Sequence, residues 1–428
     1  MPRIPSVIAI ILLAGFCLLE TLCSTRWVYK SSSEALLLVT IPYFILGLLI
    51  ALWPLLPTSK RVSFGSSHRG FVWPFTGLIG ATIGYYFFEL WTHSKEIIAK
   101  YAIDYHVADM LPVIQKQAER FLNNGPVYDI IPEIWGGMPP IYFPAFWAPF
   151  TLPMILGYDI RWATVFLLLG SMLIACAPVL RLRRTHFLFF LPLIPMYFIM
   201  EAIWVEKVFM VRLTQEGVAV FYYLLLGFAI WRRIPWLEGI AIGLCLLSRY
   251  ALIPWLLVYG VYALFFRSRR ELITVVGIPS AMVLFLFLIP YGFERWDFFF
   301  NHPGKYKAYA ERLWIKDVLF YERTLGLAKY FSQEMVIWQN RLHLGLTFAA
   351  PAAMLAAGWK RLRKPIEYPQ LHAFFLLCSL KLSLVMFYNF IVVPVYYLFY
   401  VNTFLSVLIV AAYIRYQTDK SLTHAPAN

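Results

Sequence analysis

Charge is what this chain has least of. Only 14% of its 428 residues are charged, against roughly a quarter in a soluble domain. With 61% hydrophobic residues, it cannot cover itself with polar surface in water. That excludes a water-soluble globule and makes lipid part of the solvent. Cysteine is also scarce. Cys17, Cys23, Cys176, Cys245 and Cys378 lie in or beside apolar runs, and none shows zinc-ligand spacing. They read as small apolar helix residues and leave the compartment open. No P-loop, zinc-protease motif, Gly-x-Ser-x-Gly elbow or dinucleotide fingerprint occurs, which argues against ATP-driven transport and cofactor chemistry. No cofactor is implied, and a divalent metal stays open. Repeats, low-complexity tracts and a separate soluble domain are missing too, so residues 1–428 read as a single transmembrane domain.

What the chain does have is apolar length. Runs near 6–24, 34–55, 71–91, 160–180, 186–203, 217–231, 272–291, 342–358, 370–390 and 393–413 approach or reach spanning length, with a shorter pair at 236–248 and 250–266. The expectation is an all-α polytopic membrane protein with about twelve transmembrane helices, ten to thirteen within the ambiguity of span length. Arg3 followed by an apolar run imitates a signal peptide, but the run is long enough to span and reads as a retained first helix. Aromatics make up 18% of the chain, which suits interfacial belts.

The net charge of +14 does not point to nucleic acid. The basic residues fall in short clusters between apolar runs: Lys60, Arg61 and Arg69; Arg181, Arg183 and Arg184; Arg232 and Arg233; Arg267, Arg269 and Arg270; Lys360 to Lys364. A nucleic-acid binder gathers its charge on one soluble face. Placing every cluster inside gives one consistent topology with both termini cytoplasmic. It requires that Phe143 to Gly157, interrupted by Pro144, Pro149 and Pro153, not cross. Two large loops, 92–158 and 292–341, then lie outside.

The first loop carries its own pattern. Val107, Leu111, Ile114, Ala118, Phe121 and Leu122 recur at three- and four-residue steps, an amphipathic helix over 109–123 expected to lie on the membrane surface. Asn123-Asn124-Gly125-Pro126 ends it. A Gly-, Pro- and aromatic-rich stretch follows, from Gly136 to Pro144.

A protein acting on a lipid-linked substrate needs charged groups at headgroup depth. Asp104 and Asp109 sit there, and either carboxylate suits a general base for an acceptor hydroxyl. Asp109 is equally well placed as a plain N-cap, and Asp104 as a solvated interfacial charge. Asp129 and Glu133 are loop acids able to hydrogen-bond a sugar. Arg249, between two short apolar runs, must reach a wet cavity, an ion partner or a phosphate. Arg212 and Lys305 lie in mixed-charge outer segments where ion pairs come first and phosphate contact second. Lys381, inside the eleventh span, needs a partner or a cavity.

The run from Asp109 through Asn124-Gly125-Pro126-Val127-Tyr128, with Pro139-Pro140-Ile141-Tyr142-Phe143-Pro144 after it, resembles the first outer loop of GT-C integral-membrane glycosyltransferases. It is nearest to the polyprenyl-phosphomannose-dependent type, family 87. Gln215-Glu216-Gly217 opens a span where that family often has a Gly/Gln/Asn group, although Glu216 stands where its Asn is expected. Gly239 to Arg249 resembles its short helical hairpin. The likeness covers about residues 90–270, and the chain has three spans before the loop where the family commonly has one.

The resemblance implies a GT-C-like fold and an inverting transfer, possibly of mannose, from a polyprenyl-phosphate donor to a glycan, glycolipid or protein hydroxyl. Asp109 takes the base position, with Asp104 its rival. Arg249, Arg212, Lys305, Gln215, Glu216, Tyr142, Tyr128 and Glu133 are the substrate-binding candidates. Membrane lipids are the other partners, and a bacterial inner membrane is the expected location. The same groups also suit a transporter or flippase of lipid-linked saccharide, which does not need an outer carboxylate.

Overall fold

The computed structural model describes residues 5–28, 33–56, 72–138, 140, 142–179, 187–204, 209–292, 324–363, 369–391 and 396–418. Among these the secondary structure is helical, with one isolated bridge between Ile131 and Met138. The chain is a membrane protein. Among the described residues, four helical stretches are long and apolar enough to cross a bilayer: Ser6–Trp27, Arg269–Tyr291, Val336–Leu362 and Gln370–Phe390. Shorter apolar helices lie at Leu38–Ala51, Arg161–Cys176, Leu188–Ile203, Pro235–Leu246 and Tyr250–Phe266.

The helices that matter below are α1 (Ser6–Leu22), α2 (Ser33–Ala51), α3 (Val72–Lys100), α4 (Met110–Leu122), α5 (Pro144–Trp147), α6 (Thr151–Ile155), α7 (Arg161–Cys176), α8 (Leu193–Trp204), α9 (Phe209–Arg212) and α10 (Glu216–Arg232). After them come α11 (Pro235–Leu246), α12 (Ile253–Phe266), α13 (Arg269–Val283), α14 (Val336–Leu362), α15 (Pro369–Phe390) and α16 (Tyr400–Thr418). Helix α3 outruns its apolar segment. The loop expected from residue 92 begins as helix to Lys100, because the polar stretch is carried by pairs at helical spacing, Glu89 with His93 at 3.2 Å and His93 with Glu96 at 3.5 Å.

Helices α15 and α16 form the centre and are buried along most of their length, with α1, α2, α10 and α14 against them. Helix α13 is peripheral. Ile273 and Val276 are exposed on it, as are Phe285 and Ile289 on the π-helical stretch Leu284–Gly292 that continues it, and apolar exposure of this kind on a membrane protein faces lipid rather than water. It packs on α11 through Gly239 and Gly243. A Cβ on Gly239 would lie 3.0 Å from the Thr274 carbonyl oxygen, and one on Gly243 would lie 2.5 Å from Met282 Sδ. Two glycines four apart let the backbones approach where no hydrophobic effect drives the helices together.

Lys381 has the partner its burial demands. Its Nζ donates to Glu20 Oε1 at 2.5 Å and to the Asn402 carbonyl at 2.9 Å, and Ser406 Oγ donates to Glu20 Oε2. Both charges are fully buried, so the pair ties α1, α15 and α16 together. All five cysteines are free and buried.

Candidate functional site

The site is built where the loop between α3 and α7 meets the tip of the α11–α12 hairpin. Helix α4 starts at Asp109 and ends as the sequence suggests, with Asn124 rather than Gly125 in the left-handed region at φ 53°. Gly125 N donates to the Arg120 carbonyl at 2.7 Å and Asn124 N to that of Phe121 at 3.2 Å, the paired bonds of a Schellman ending. The apolar face of α4 (Leu111, Ile114, Ala118) is buried. The helix packs on α5, α6 and the 3-10 turn Ala148–Phe150 between them. Its expected seat on the bilayer surface is therefore taken by protein, because Pro144, Pro149 and Pro153 fold the segment after it into short broken helices directly underneath.

That packing fixes Tyr142. Gln117, buried on α4, donates its Nε2 to the Tyr142 carbonyl at 3.1 Å. The Tyr142 ring stacks on Phe146 with centroids 5.5 Å apart, and the Arg249 guanidinium lies 5.2 Å over the Phe146 ring. Backbone bonds lock the segment to the bundle. Ala145 N donates to the Leu247 carbonyl at 3.0 Å, and Tyr222 Oη donates to the Ala145 carbonyl at 2.8 Å.

Arg249 stands in extended backbone at the break between α11 and α12 and is paired with Glu216, the first residue of α10. Glu216 is fully buried, while the Arg249 side chain keeps 21% of its surface. The second carboxylate oxygen of Glu216 has no hydrogen-bond partner among the described residues, and neither polar atom of the buried Gln215 has one. Tyr388 on α15 and Tyr223 on α10 face the same ion pair.

Asp109 adjoins this cluster through Tyr142, on which its charge acts. It occupies the N-cap position, yet its side chain makes no capping bond and its backbone is helical, φ −85° and ψ −17°. Capping therefore does not account for it. Burial raises its carboxyl above the ordinary carboxylate range. Burial likewise raises the Tyr142 phenol, with the Asp109 charge adding to the rise and Arg249 opposing it. Tyr142 is thus the group that feels both Asp109 and the Glu216–Arg249 pair.

The other candidates do not join it. Asp104 is exposed, and its Oδ1 accepts the His106 amide at 2.9 Å, closing a local turn. Glu133 is exposed in the turn that links Ile131 to Met138. Tyr128 is buried beneath the loop, where it accepts from Trp147 Nε1 at 3.3 Å and packs edge-on against Tyr291. Arg212 lies 4.1 Å over the Tyr101 ring, with its Nε buried and unpartnered and no carboxylate against it among the described residues. Next to it, Arg161 is held by Asp159 and donates to the carbonyls of Ile98 at 3.1 Å and Tyr101 at 2.6 Å, closing the end of α3. Lys305 lies outside the described residues.

Gln117, Phe146, Tyr223 and Tyr388 enter the site without warning from the sequence. A glutamine in an amphipathic helix and tyrosines in apolar runs look the same whether they face lipid, core or substrate. No protein-family model matches the chain, and no curated protein or solved structure matches it.

Proposed function

We propose that this protein transfers a sugar from a polyprenyl-phosphate donor to an acceptor hydroxyl on the non-cytoplasmic face of a membrane. In this reading it has about twelve crossings, a GT-C-like arrangement, both termini in the cytoplasm and a home in a bacterial inner membrane. The observation that carries the reading is Asp109. Its half-buried carboxyl makes no capping bond to α4, and its charge acts on Tyr142, the phenol that Arg249 also reaches.

The chemistry follows from that pairing. Asp109 accepts the proton of the acceptor O–H as its oxygen attacks the anomeric carbon from the face opposite the phosphate. The bond between the anomeric carbon and the phosphate oxygen breaks, the electron pair leaves with the phosphate, and the centre inverts. Arg249 offsets the charge gathering on the leaving phosphate. It keeps one nitrogen on Glu216, and its exposed edge is turned to the substrate. Tyr142 and Gln215 supply hydrogen bonds to the sugar between them. Burial serves the base, because a carboxyl with a raised pKa binds the incoming proton more tightly.

The test is sugar transfer by the purified chain in lipid, from a labelled polyprenyl-phosphate sugar to a panel of glycan and lipid acceptors. Wild type, Asp109→Asn and Asp104→Asn are compared. Transfer by wild type and Asp104→Asn, with none by Asp109→Asn and donor binding retained, is the expected result. Movement of the donor across the bilayer, unaffected by Asp109→Asn and without transfer to any acceptor, replaces the transferase by a carrier.

A further inference from the structure

Beside the Asp109 site lies a second feature that the proposed reaction does not use. The Tyr105 and His106 rings lie with centroids 4.0 Å apart, tilted by 35°, and Trp135 stands across both, 5.9 Å from Tyr105 at 86° and 6.1 Å from His106 at 82°. The rings make a two-walled corner on the outer surface. Trp135 is 59% exposed, and His106 is exposed beside it.

The backbone holds Trp135 there at a cost. Its φ is +51°, and Gly136 and Gly137 follow at +73° and +129°. An aromatic residue seldom enters that region, which glycine or asparagine occupies with ease. Strain held at an exposed side chain points to use of the side chain itself. The turn is firmly anchored. Ile131 and Met138 exchange both backbone bonds, at 2.9 and 3.0 Å, and Ile131 and Ile134 are buried with Val113 in a small core of their own. Tyr105 and Tyr142 both pack on that core, and Val113 N donates to the Asp109 carbonyl at 2.9 Å. The aromatic corner and the Asp109–Tyr142 pair are therefore two sides of one rigid unit.

We infer that Tyr105, His106 and Trp135 form a platform for the pyranose rings of a saccharide acceptor. A sugar ring offers an apolar C–H face and a rim of hydroxyls. The corner offers apolar ring faces, and exposed carboxylates at Asp104 and Glu133 beside them accept hydroxyl protons. The same carboxylates oppose docking of the corner on anionic headgroups. The inference rests on the transferase reading and narrows its acceptor to a glycan.

Saturation-transfer NMR on the full chain in detergent, with mannotriose, maltotriose and chitotriose as probes, tests it on wild type and Trp135→Gly. Glycine relaxes the left-handed position, so the variant keeps or gains thermal stability. At least one triose is expected to bind wild type through its ring protons, with affinity about tenfold lower in the variant, the scale of one good aromatic contact. In the transfer assay the acceptor KM rises by a similar factor, while the donor KM and the kcat at saturating acceptor stay put. The platform is overturned by trioses that bind both proteins equally or bind neither. It is also overturned by quenching of Trp135 by brominated lipid, read as the difference between wild type and variant, which makes the residue a membrane anchor. Triose binding at Trp135 without any transfer keeps the platform and sinks the transferase. Transfer with an acceptor KM indifferent to Trp135→Gly does the opposite.

Discussion

The Glu216–Arg249 pair makes an asymmetric prediction. Glu216 is fully buried and Arg249 keeps 21% of its side-chain surface, so removing either partner leaves a different problem behind. Arg249→Gln strands a carboxylate with no route to water, and one of its oxygens already has no partner among the described residues. Breaking a buried pair in this way costs about 3–5 kcal/mol. Glu216→Gln strands a guanidinium that can swing its head toward its exposed edge and water, and its cost is roughly 1–2 kcal/mol. The double variant Glu216→Gln/Arg249→Gln removes both charges and should recover most of the Arg249→Gln loss. Equilibrium unfolding in mixed SDS micelles, followed by tryptophan fluorescence, measures all three on one scale. If Glu216→Gln is as damaging as Arg249→Gln, or the double variant is the worst of the three, the pair is not what holds the hairpin tip to α10, and the argument fails. Donor binding separates function from folding, because Glu216→Gln keeps the cation and should retain donor while Arg249→Gln loses it.

The Asp109 carboxyl binds its proton more tightly in the fold than in the unfolded chain. Its contribution therefore favours the native state at low pH and turns into a cost as pH rises through the raised value. Asp109→Asn should be inactive in transfer yet at least as stable as wild type at neutral pH, and a thermal melt beside the activity assay checks both. The acid limb of the wild-type pH–rate profile should fall above the ordinary carboxylate range, since the base must be deprotonated to act; a limb at or below that range refutes the burial argument. Lys381→Met alone should cost about 3–5 kcal/mol by stranding Glu20, while Lys381→Met with Glu20→Gln should cost far less, again by equilibrium unfolding. Gly243→Val should wedge α11 away from α13 at Met282 and cost about 1–3 kcal/mol, whereas Gly277→Val, where a Cβ would meet nothing within 4 Å, should pass unnoticed apart from helix propensity.

Membrane class and helix placement were written in the sequence, because both follow from one-dimensional quantities. Apolar run length against scarce charge dictates lipid as solvent, and the long apolar helices lie on the runs that announced them, while α3 continues past its own to Lys100. The amphipathic period of α4 and its Asn-Asn-Gly-Pro stop were equally legible, although only the fold put the left-handed turn on Asn124 rather than Gly125. What the sequence left open was which partner each polar group takes, since that depends on residues far apart in the chain. Lys381 required a counter-charge, but only the fold chose Glu20, 361 positions away. Arg249 required a partner, and the fold gave it Glu216 while leaving an edge exposed. Asp109 fitted a helix cap by position. Only the backbone dihedrals at the start of α4 show the side chain free of that duty, with its charge acting on Tyr142 instead. Local pattern sets where a helix begins and which face is apolar. Whether a charge is spent on structure or kept for chemistry is decided by what the rest of the chain places against it.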